Sequence, residues 1–355
     1  MDMPAYHPIL PFEVLSEQLG IPFEQIVKLD ANENPYGPLP QVRAALSEMQ
    51  QYTHIYPDPE SRLLRKALSD YHGIPMGNLL AGAGADELID LVMRLFLNPG
   101  DSIINCPPTF GMYPFDADVN AAQTISVPRF PDFSLDLDAI ELATRSYSPK
   151  LLFVTSPNNP DGGLIPREEL NRLLTLPVIV VLDEAYIEFA PPATSRIQDV
   201  PARENLIVLR TFSKWAGLAG LRVGYGAFPS WVMQHLWKVK QPYNVSVAAS
   251  TAAIVSLQHA DALQETGIRL IAERERMFAA LQGIPWLRPF PSHSNFILCQ
   301  VVGRDARQLK VDLAREGVLV RYFDKPGLRD HIRISVGRPD QTDVLLEKIC
   351  LSKSL

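Results

Sequence analysis

Between residues 80 and 230 the chain repeats one texture: a short apolar, β-branched run, a polar loop, then a helical pattern. The runs are Ser102–Asn105, Leu151–Thr155, Val178–Leu182, Ile207–Leu209 and Val223–Ala227. Most are apolar throughout rather than alternating, which predicts strands buried on both faces. Among the helical patterns, Asp86–Leu97 sets Leu88, Leu91, Val92 and Leu95 on one face, and Arg167–Leu174 is a shorter case. This βαβ rhythm predicts an α/β fold whose large domain has a mainly parallel sheet flanked by helices. After residue 240 the texture changes. Val245–Leu281 reads as one or two long helices. Strands are then expected at Asn295–Gln300, Val318–Val320 and Ile332–Val336, with helices at Ala306–Glu316 and Asp343–Cys350. We therefore expect a large domain over residues 30–280 and a smaller α+β domain over 281–355, to which residues 1–29 are assigned.

Composition narrows the class. The chain has 355 residues, 46% of them hydrophobic and 21% charged. A chain of this length buries roughly three quarters of its unfolded surface and needs no disulfide or metal staple. Thirty-three Lys and Arg against 40 Asp and Glu leave a net charge of −7. That disfavours a nucleic-acid partner, for which a basic excess is usual, and an anionic membrane surface. Cys106, Cys299 and Cys350 are odd in number and far apart, with no C-x-x-C pair, so neither a disulfide framework nor a zinc cage is expected. No apolar run approaches the ~18 residues of a spanning helix. Met1–Pro11 carries prolines and an acid but no Lys or Arg, which is unlike a signal peptide. A cytoplasmic, reducing setting is the expectation.

In a parallel sheet, functional groups gather beyond the carboxyl ends of the strands. The run Leu151–Thr155 leads into Ser156-Pro157-Asn158-Asn159-Pro160-Asp161-Gly162-Gly163, a tight loop able to aim an amide inward, or a plain turn. Val178–Leu182 leads into Asp183-Glu184-Ala185-Tyr186. A buried acid there needs a cationic partner; a helix cap is the alternative, and Tyr186 reads equally as a packed core ring. Ile207–Leu209 leads into Arg210-Thr211-Phe212-Ser213-Lys214. A lysine desolvated there is an amine nucleophile; otherwise it is an exposed loop lysine. Arg222, opening the next strand beside small residues, points into a cleft or makes a surface ion pair. Upstream, Ala81-Gly82-Ala83-Gly84-Ala85-Asp86-Glu87 runs into a helix start, which suits either a phosphate cradle or a simple cap. Taken together, a lysine, an acid, a phosphate cradle, an arginine, an amide and a phenol meet the needs of one cofactor, pyridoxal 5'-phosphate.

The order of these motifs resembles the fold-type I pyridoxal-phosphate enzymes of the aspartate aminotransferase superfamily, and most closely the histidinol-phosphate aminotransferases. The resemblance is carried by Leu29–Pro35, Tyr56-Pro57-Asp58, Gly84–Glu87, Pro107–Tyr113, Ser156–Gly162, Asp183–Tyr186, Thr211–Lys214, Gly220-Leu221-Arg222 and His331–Ser335, which span nearly the whole chain. It implies an aspartate aminotransferase-like fold and a homodimer acting on L-histidinol phosphate and 2-oxoglutarate in histidine biosynthesis. Lys214 would bond the cofactor aldehyde and later move the proton at the substrate carbon. Asp183 would pair with the ring nitrogen, Asn159 and Tyr186 with the ring oxygen, and Phe110 would stack on the ring. Backbone at Ala85 and Asp86, with Thr211, Ser213 and Arg222, would hold the phosphate, joined by Tyr56 from the neighbouring subunit. Arg333, helped by Arg321, would bind the 2-oxoglutarate carboxylate or the substrate phosphate.

Three positions depart from the family pattern. Phe110 stands where Tyr is usual, which keeps the stacking and removes a hydroxyl. Asp161 replaces Thr in the Asn-Pro-Thr-Gly turn, and Asp favours such turns. Phe12, in Pro11-Phe12, stands where many relatives carry Tyr against the substrate phosphate. The rival readings are an aromatic amino-acid aminotransferase, a threonine-phosphate decarboxylase, and a transcriptional regulator with an aminotransferase-like domain. The last would need a DNA-binding extension that the acidic chain does not display.

Overall fold

The chain is described by a computed structural model over residues 11–351. Seven strands form the larger sheet: β2 (Leu79–Gly82), β3 (Ser102–Asn105), β4 (Gln123–Ser126), β5 (Leu151–Thr155), β6 (Ile179–Asp183), β7 (Leu206–Thr211) and β8 (Gly224–Ala227), in the order β2-β8-β7-β6-β5-β3-β4. β8 runs antiparallel to both neighbours, and β7, β6, β5, β3 and β4 pair parallel. The expected strands are all present, shifted by a residue or two. Strands β2 and β4 were not foreseen. β4 has no fully buried residue and one apolar side chain, Ile125, as an edge strand can. β2 is four residues leading straight into the glycine loop.

Both faces of this sheet are covered, which is why its strands are apolar throughout. Leu152, Val154 and Val208 join one core, and Leu151, Phe153 and Ile207 the other. The helix Ala85–Phe96 covers the second face with Leu88, Leu91 and Val92, as its periodicity predicts. The pattern read as one or two helices from Val245 is two, Val247–Gln258 and Ala260–Gln282, broken at His259.

The smaller sheet has the order β1-β11-β12-β10-β9, from β1 (Val27–Leu29), β9 (Leu287–Pro289), β10 (Phe296–Val301), β11 (Val318–Tyr322) and β12 (His331–Ser335). β1 lies parallel to β11, so a segment from the start of the chain is built into a sheet made otherwise from its end. Immediately after β1 the chain crosses between the two sheets at Asn32. This residue is almost fully buried and has a left-handed backbone with φ 55°. Its N–H donates to Ser335 Oγ at 2.8 Å, its amide donates to Tyr186 Oη at 3.1 Å, and its carbonyl accepts from Asn295 at 3.0 Å. One side chain thus ties the end of β12 to the loop after β6.

Candidate active site

Parallel pairing brings the ends of β5, β6 and β7 to one edge. Thr155 lies opposite Asp183, and Asp183 opposite Leu209. Asp183 is 4% exposed. Its Oδ2 accepts from Tyr113 Oη at 2.7 Å and its Oδ1 from the Ala185 N–H at 3.0 Å. Among the described residues neither a cation nor a helix start meets this acid: one oxygen closes its own turn and a phenol holds the other. Burial raises its pKa to about 6, and the two donors keep it from rising further. Tyr113 is fully buried, stacks on Phe153 at 4.8 Å and also bonds Thr155 Oγ1 at 2.8 Å. Tyr113 closes the Pro107–Tyr113 motif, in which nothing in the sequence points to a role for it. No local signal marks it, because its partners come from strands 40 and 70 residues away.

Lys214 follows β7 by three residues and is partly buried. Its Nζ donates to the Ala31 carbonyl at 3.3 Å and sits 5.8 Å from the centre of the Tyr186 ring. Burial first, and then the nearby Arg333 guanidinium, lower its pKa to about 8. Tyr186 is buried, and its hydroxyl accepts from the amides of Asn32 and, at 3.4 Å, Asn159. Asn159 Oδ1 in turn accepts from Arg333 at 2.6 Å. Asp161 holds the Asn159 loop, since its Oδ2 accepts from the Gly163 N–H at 2.7 Å and its Oδ1 from the Asn158 amide.

A second cluster forms where β2 enters the helix Ala85–Phe96. Gly84 has φ +86°, and a Cβ there would stand 2.5 Å from Arg222 Nη2. One end of the guanidinium therefore stands close against the helix start. Arg222 donates to Asp86 at 2.9 Å and to Ser213 Oγ at 3.4 Å, while Thr211 Oγ1 donates to Ser213 Oγ at 2.9 Å. The Ala85 and Asp86 N–H groups belong to a first helical turn, which has no intrahelical acceptors. Two hydroxyls, a guanidinium and a helix N-terminus so converge on one spot, the chemistry of an anion site. One expectation is corrected here. Arg222 does not start a strand; it ends a tight turn with φ 52°, half-exposed, and β8 begins two residues later. The left-handed backbone turns its side chain toward the helix.

A cavity of about 730 Å³ opens between the two sheets. Phe110, Asn159, Tyr186, Lys214, Arg321 and Arg333 all line it. Asp183 and the cluster at Gly84 lie outside its lining. Arg333 is 5% exposed, donates to the Asp30 carbonyl at 2.9 Å, and lies over the rings of Phe296 and Phe323 at 5.2 and 5.5 Å. Arg321 faces it across the β11–β12 ladder. Among the described residues five cations line the cavity (Arg129, Lys214, Arg321, Lys325 and Arg333), and no carboxylate does. Tyr56 is not among the lining residues. It is 80% exposed and packs at 4.8 Å on Tyr243. Phe12 opens the first described helix, and its side chain lies outside the described residues. No group of three or more His, Cys, Asp or Glu among the described residues could hold a metal ion.

With this geometry in view, similarity to known proteins is informative. The family model "Aminotransferase class I and II" matches residues 24–349. The chain is 56% identical over 350 residues to histidinol-phosphate aminotransferase 1, chloroplastic, of Arabidopsis thaliana, covering 98% of this chain and 83% of that protein. It is 51% identical over 350 residues to the histidinol-phosphate aminotransferase of Roseiflexus castenholzii, covering 96% and 94%. The crystal structure of histidinol-phosphate aminotransferase from Sinorhizobium meliloti, in complex with pyridoxal-5'-phosphate, superposes with a TM-score of 0.90 at 29% identity and covers 98% of this chain and 96% of that one. The chain belongs to the class I and II aminotransferases and, within them, to the histidinol-phosphate aminotransferase family.

Proposed function

We infer that the chain is a pyridoxal-phosphate-dependent aminotransferase that moves the amino group of L-histidinol phosphate to 2-oxoglutarate, giving imidazole acetol phosphate and L-glutamate. The carrying observation is a cavity that holds Lys214 and that, among the described residues, is lined by five cations and no carboxylate. Such a lining favours substrates that bring their own negative charge, as a phosphorylated amine and a dicarboxylate both do. An aromatic amino acid would make poor use of it. A decarboxylase is disfavoured by the 51–56% identity to histidinol-phosphate aminotransferases.

The residues present fit the cofactor. Bound pyridoxal phosphate supplies an aldehyde for the amine and a ring that takes up the electrons left by the broken Cα–H bond. Thr211, Ser213, Arg222 and the helix start at Ala85 and Asp86 would hold its phosphate. Asp183 would keep its ring nitrogen protonated, and Tyr113 would keep that carboxylate ionised by donating to it. Asn159 and Tyr186 would face its ring oxygen, and Phe110 would cover one ring face. Lys214 Nζ, with its lowered pKa, would be free to take the substrate Cα proton and return it on the far side of the transfer. Arg333 and Arg321 would grip the substrate anion, a planar fork suiting phosphate and carboxylate alike.

We further propose a homodimer in which Tyr56 reaches the partner's cofactor phosphate, supported by its 80% exposure beside Tyr243. Residues 30–280 would form the cofactor-binding domain, with 1–29 and 281–355 as the smaller one, a division supported by the two sheets. A cytoplasmic, reducing setting is supported by three cysteines that form no disulfide, with the Cys106 thiol pushed up to about 12 by burial. No helix among the described residues is long and apolar enough to cross a membrane.

The test is a half-reaction. Protein loaded with pyridoxal phosphate is mixed with L-histidinol phosphate or with L-phenylalanine, without an acceptor, and the visible cofactor band is followed. Fast bleaching with histidinol phosphate is expected; faster bleaching with phenylalanine would move the enzyme to the aromatic group.

A further inference from the structure

One cavity must take a phosphorylated amine and a dicarboxylate in turn, and the two differ in where their charges lie. Arg321 and Arg333 stand directly opposite each other on antiparallel strands. Like charges so placed repel. Arg333 donates to the Asn159 side-chain oxygen and the Asp30 carbonyl, and Arg321 lies over the Phe323 ring. Two adjacent guanidinium groups suit one compact anion between them, such as a phosphate dianion. A dicarboxylate gripped there by one end still has a second carboxylate, separated by its methylenes, that needs a cation elsewhere in the cavity.

Three further cations line the cavity. Lys214 is committed to the proton transfer. Arg129 already donates to the carbonyls of Cys106 and Phe133, at 3.2 and 2.9 Å. Lys325 has no hydrogen bond or ion pair with any described residue. It sits on the loop joining β11 to β12, so the same hairpin that carries Arg321 and Arg333 carries it. The loop's two acids are engaged elsewhere: Asp324 pairs with Arg329 at 3.0 Å, and Asp330 accepts from Gln300 at 2.7 Å and pairs with His331. The Lys325 ammonium reaches across the cleft to the large sheet's side. A Cβ placed on Gly111 would stand 3.1 Å from Lys325 Nζ, and Gly111 follows Phe110. The ammonium therefore lies against Gly111 on the large-sheet wall of the cavity, whereas Arg321 and Arg333 stand on strands of the smaller sheet.

We propose that Lys325 receives the distal carboxylate of the dicarboxylate acceptor while Arg333 holds the carboxylate beside the reacting carbon. The phosphorylated donor, with one anionic group, makes no such use of it. Lys325 is thus a specificity residue for the second half of the reaction. The assignment rests on the function inferred above.

Glutarate, a dicarboxylate with no carbonyl to react, serves as the probe. Its binding to the pyridoxal-phosphate holoenzyme is measured by calorimetry, with inorganic phosphate as the comparison anion. Lys325 is exposed, so Lys325→Met is expected to fold, and Lys325→Arg tests whether charge alone suffices. Loss of one charge-assisted contact predicts about tenfold weaker glutarate binding for Lys325→Met. Phosphate binding should change by less than about twofold, because the arginine pair is untouched. Lys325→Arg should recover most of the affinity, and KM for 2-oxoglutarate should rise in Lys325→Met while kcat falls little. Unchanged glutarate affinity, or equal losses for glutarate and phosphate, would overturn the assignment. A histidinol-phosphate half-reaction on the unsubstituted enzyme separates the two inferences: if it runs while glutarate binding ignores Lys325, only the lysine's role fails.

Discussion

Lys214 and Tyr113 are the residues whose local chemistry makes the strongest predictions. A lysine that titrates at about 8 rather than 10.5 carries on the order of 300-fold more free amine at pH 7. The rate at which the apoenzyme bonds pyridoxal phosphate should therefore rise about tenfold per pH unit below pH 8 and level off above it. Stopped-flow absorbance would measure this; a rise that continued past pH 10 would contradict the assigned environment. Tyr113→Phe removes the 2.7 Å donor from Asp183 while keeping the ring on Phe153. Without that donor the buried carboxylate's pKa moves up, because burial is left less opposed. The spectral titration of the bound cofactor should shift and kcat should fall about tenfold with little change in KM. An unaltered titration would reduce Tyr113 to packing.

At the scale of elements, the ends of β6 and β7 are fastened by a buried ion pair one residue beyond Asp183. Arg210 donates to Glu184 at 2.8 and 3.0 Å, and Glu184 also accepts from Ser195 Oγ and the Arg196 N–H. Burial works against the Arg210 charge, but Glu184 beside it more than offsets that and raises its pKa. Glu184→Ala leaves this guanidinium with Glu188, at 3.4 Å, as its one carboxylate among the described residues, beside the Ser195 hydroxyl. A loss of about 3–5 kcal/mol in urea unfolding is expected, since one partner of a buried pair is removed; a loss below about 1 kcal/mol would mean that solvent reaches the site. Gly224 shows the same dependence on close approach. A Cβ there would stand 2.6 Å from the Ala85 nitrogen, which is backbone and cannot swing away. Gly224→Ala should push the helix start off Arg222 and weaken cofactor binding about tenfold, read by fluorescence quenching, as one displaced charged contact would.

For the whole molecule, the expectation is an active site completed by a second copy of the chain. If Tyr56 acts in the partner's site, Tyr56→Ala and Lys214→Ala are each defective as homodimers. Mixed under conditions that exchange subunits, they should recover roughly a quarter of full activity, because hybrid dimers carry one intact site. No recovery despite exchange would place Tyr56 outside the partner's site.

Much of this protein was legible from the chain alone. Apolar runs buried on both faces revealed the central strands, because a parallel sheet covered on two sides leaves no polar face to alternate. The site residues that follow those strands, Asn159, Asp183, Tyr186 and Lys214, could be named because a parallel sheet delivers every such loop to one edge. Tertiary structure alone decided the rest. β4 lay hidden because an edge strand carries no continuous apolar signal. Arg222 was misread because a left-handed backbone residue reverses the direction its neighbours suggest. Tyr113 on Asp183 and Asn32 between the sheets both depend on contacts between segments far apart in sequence. Periodicity records which face of an element is buried; it does not record what stands opposite.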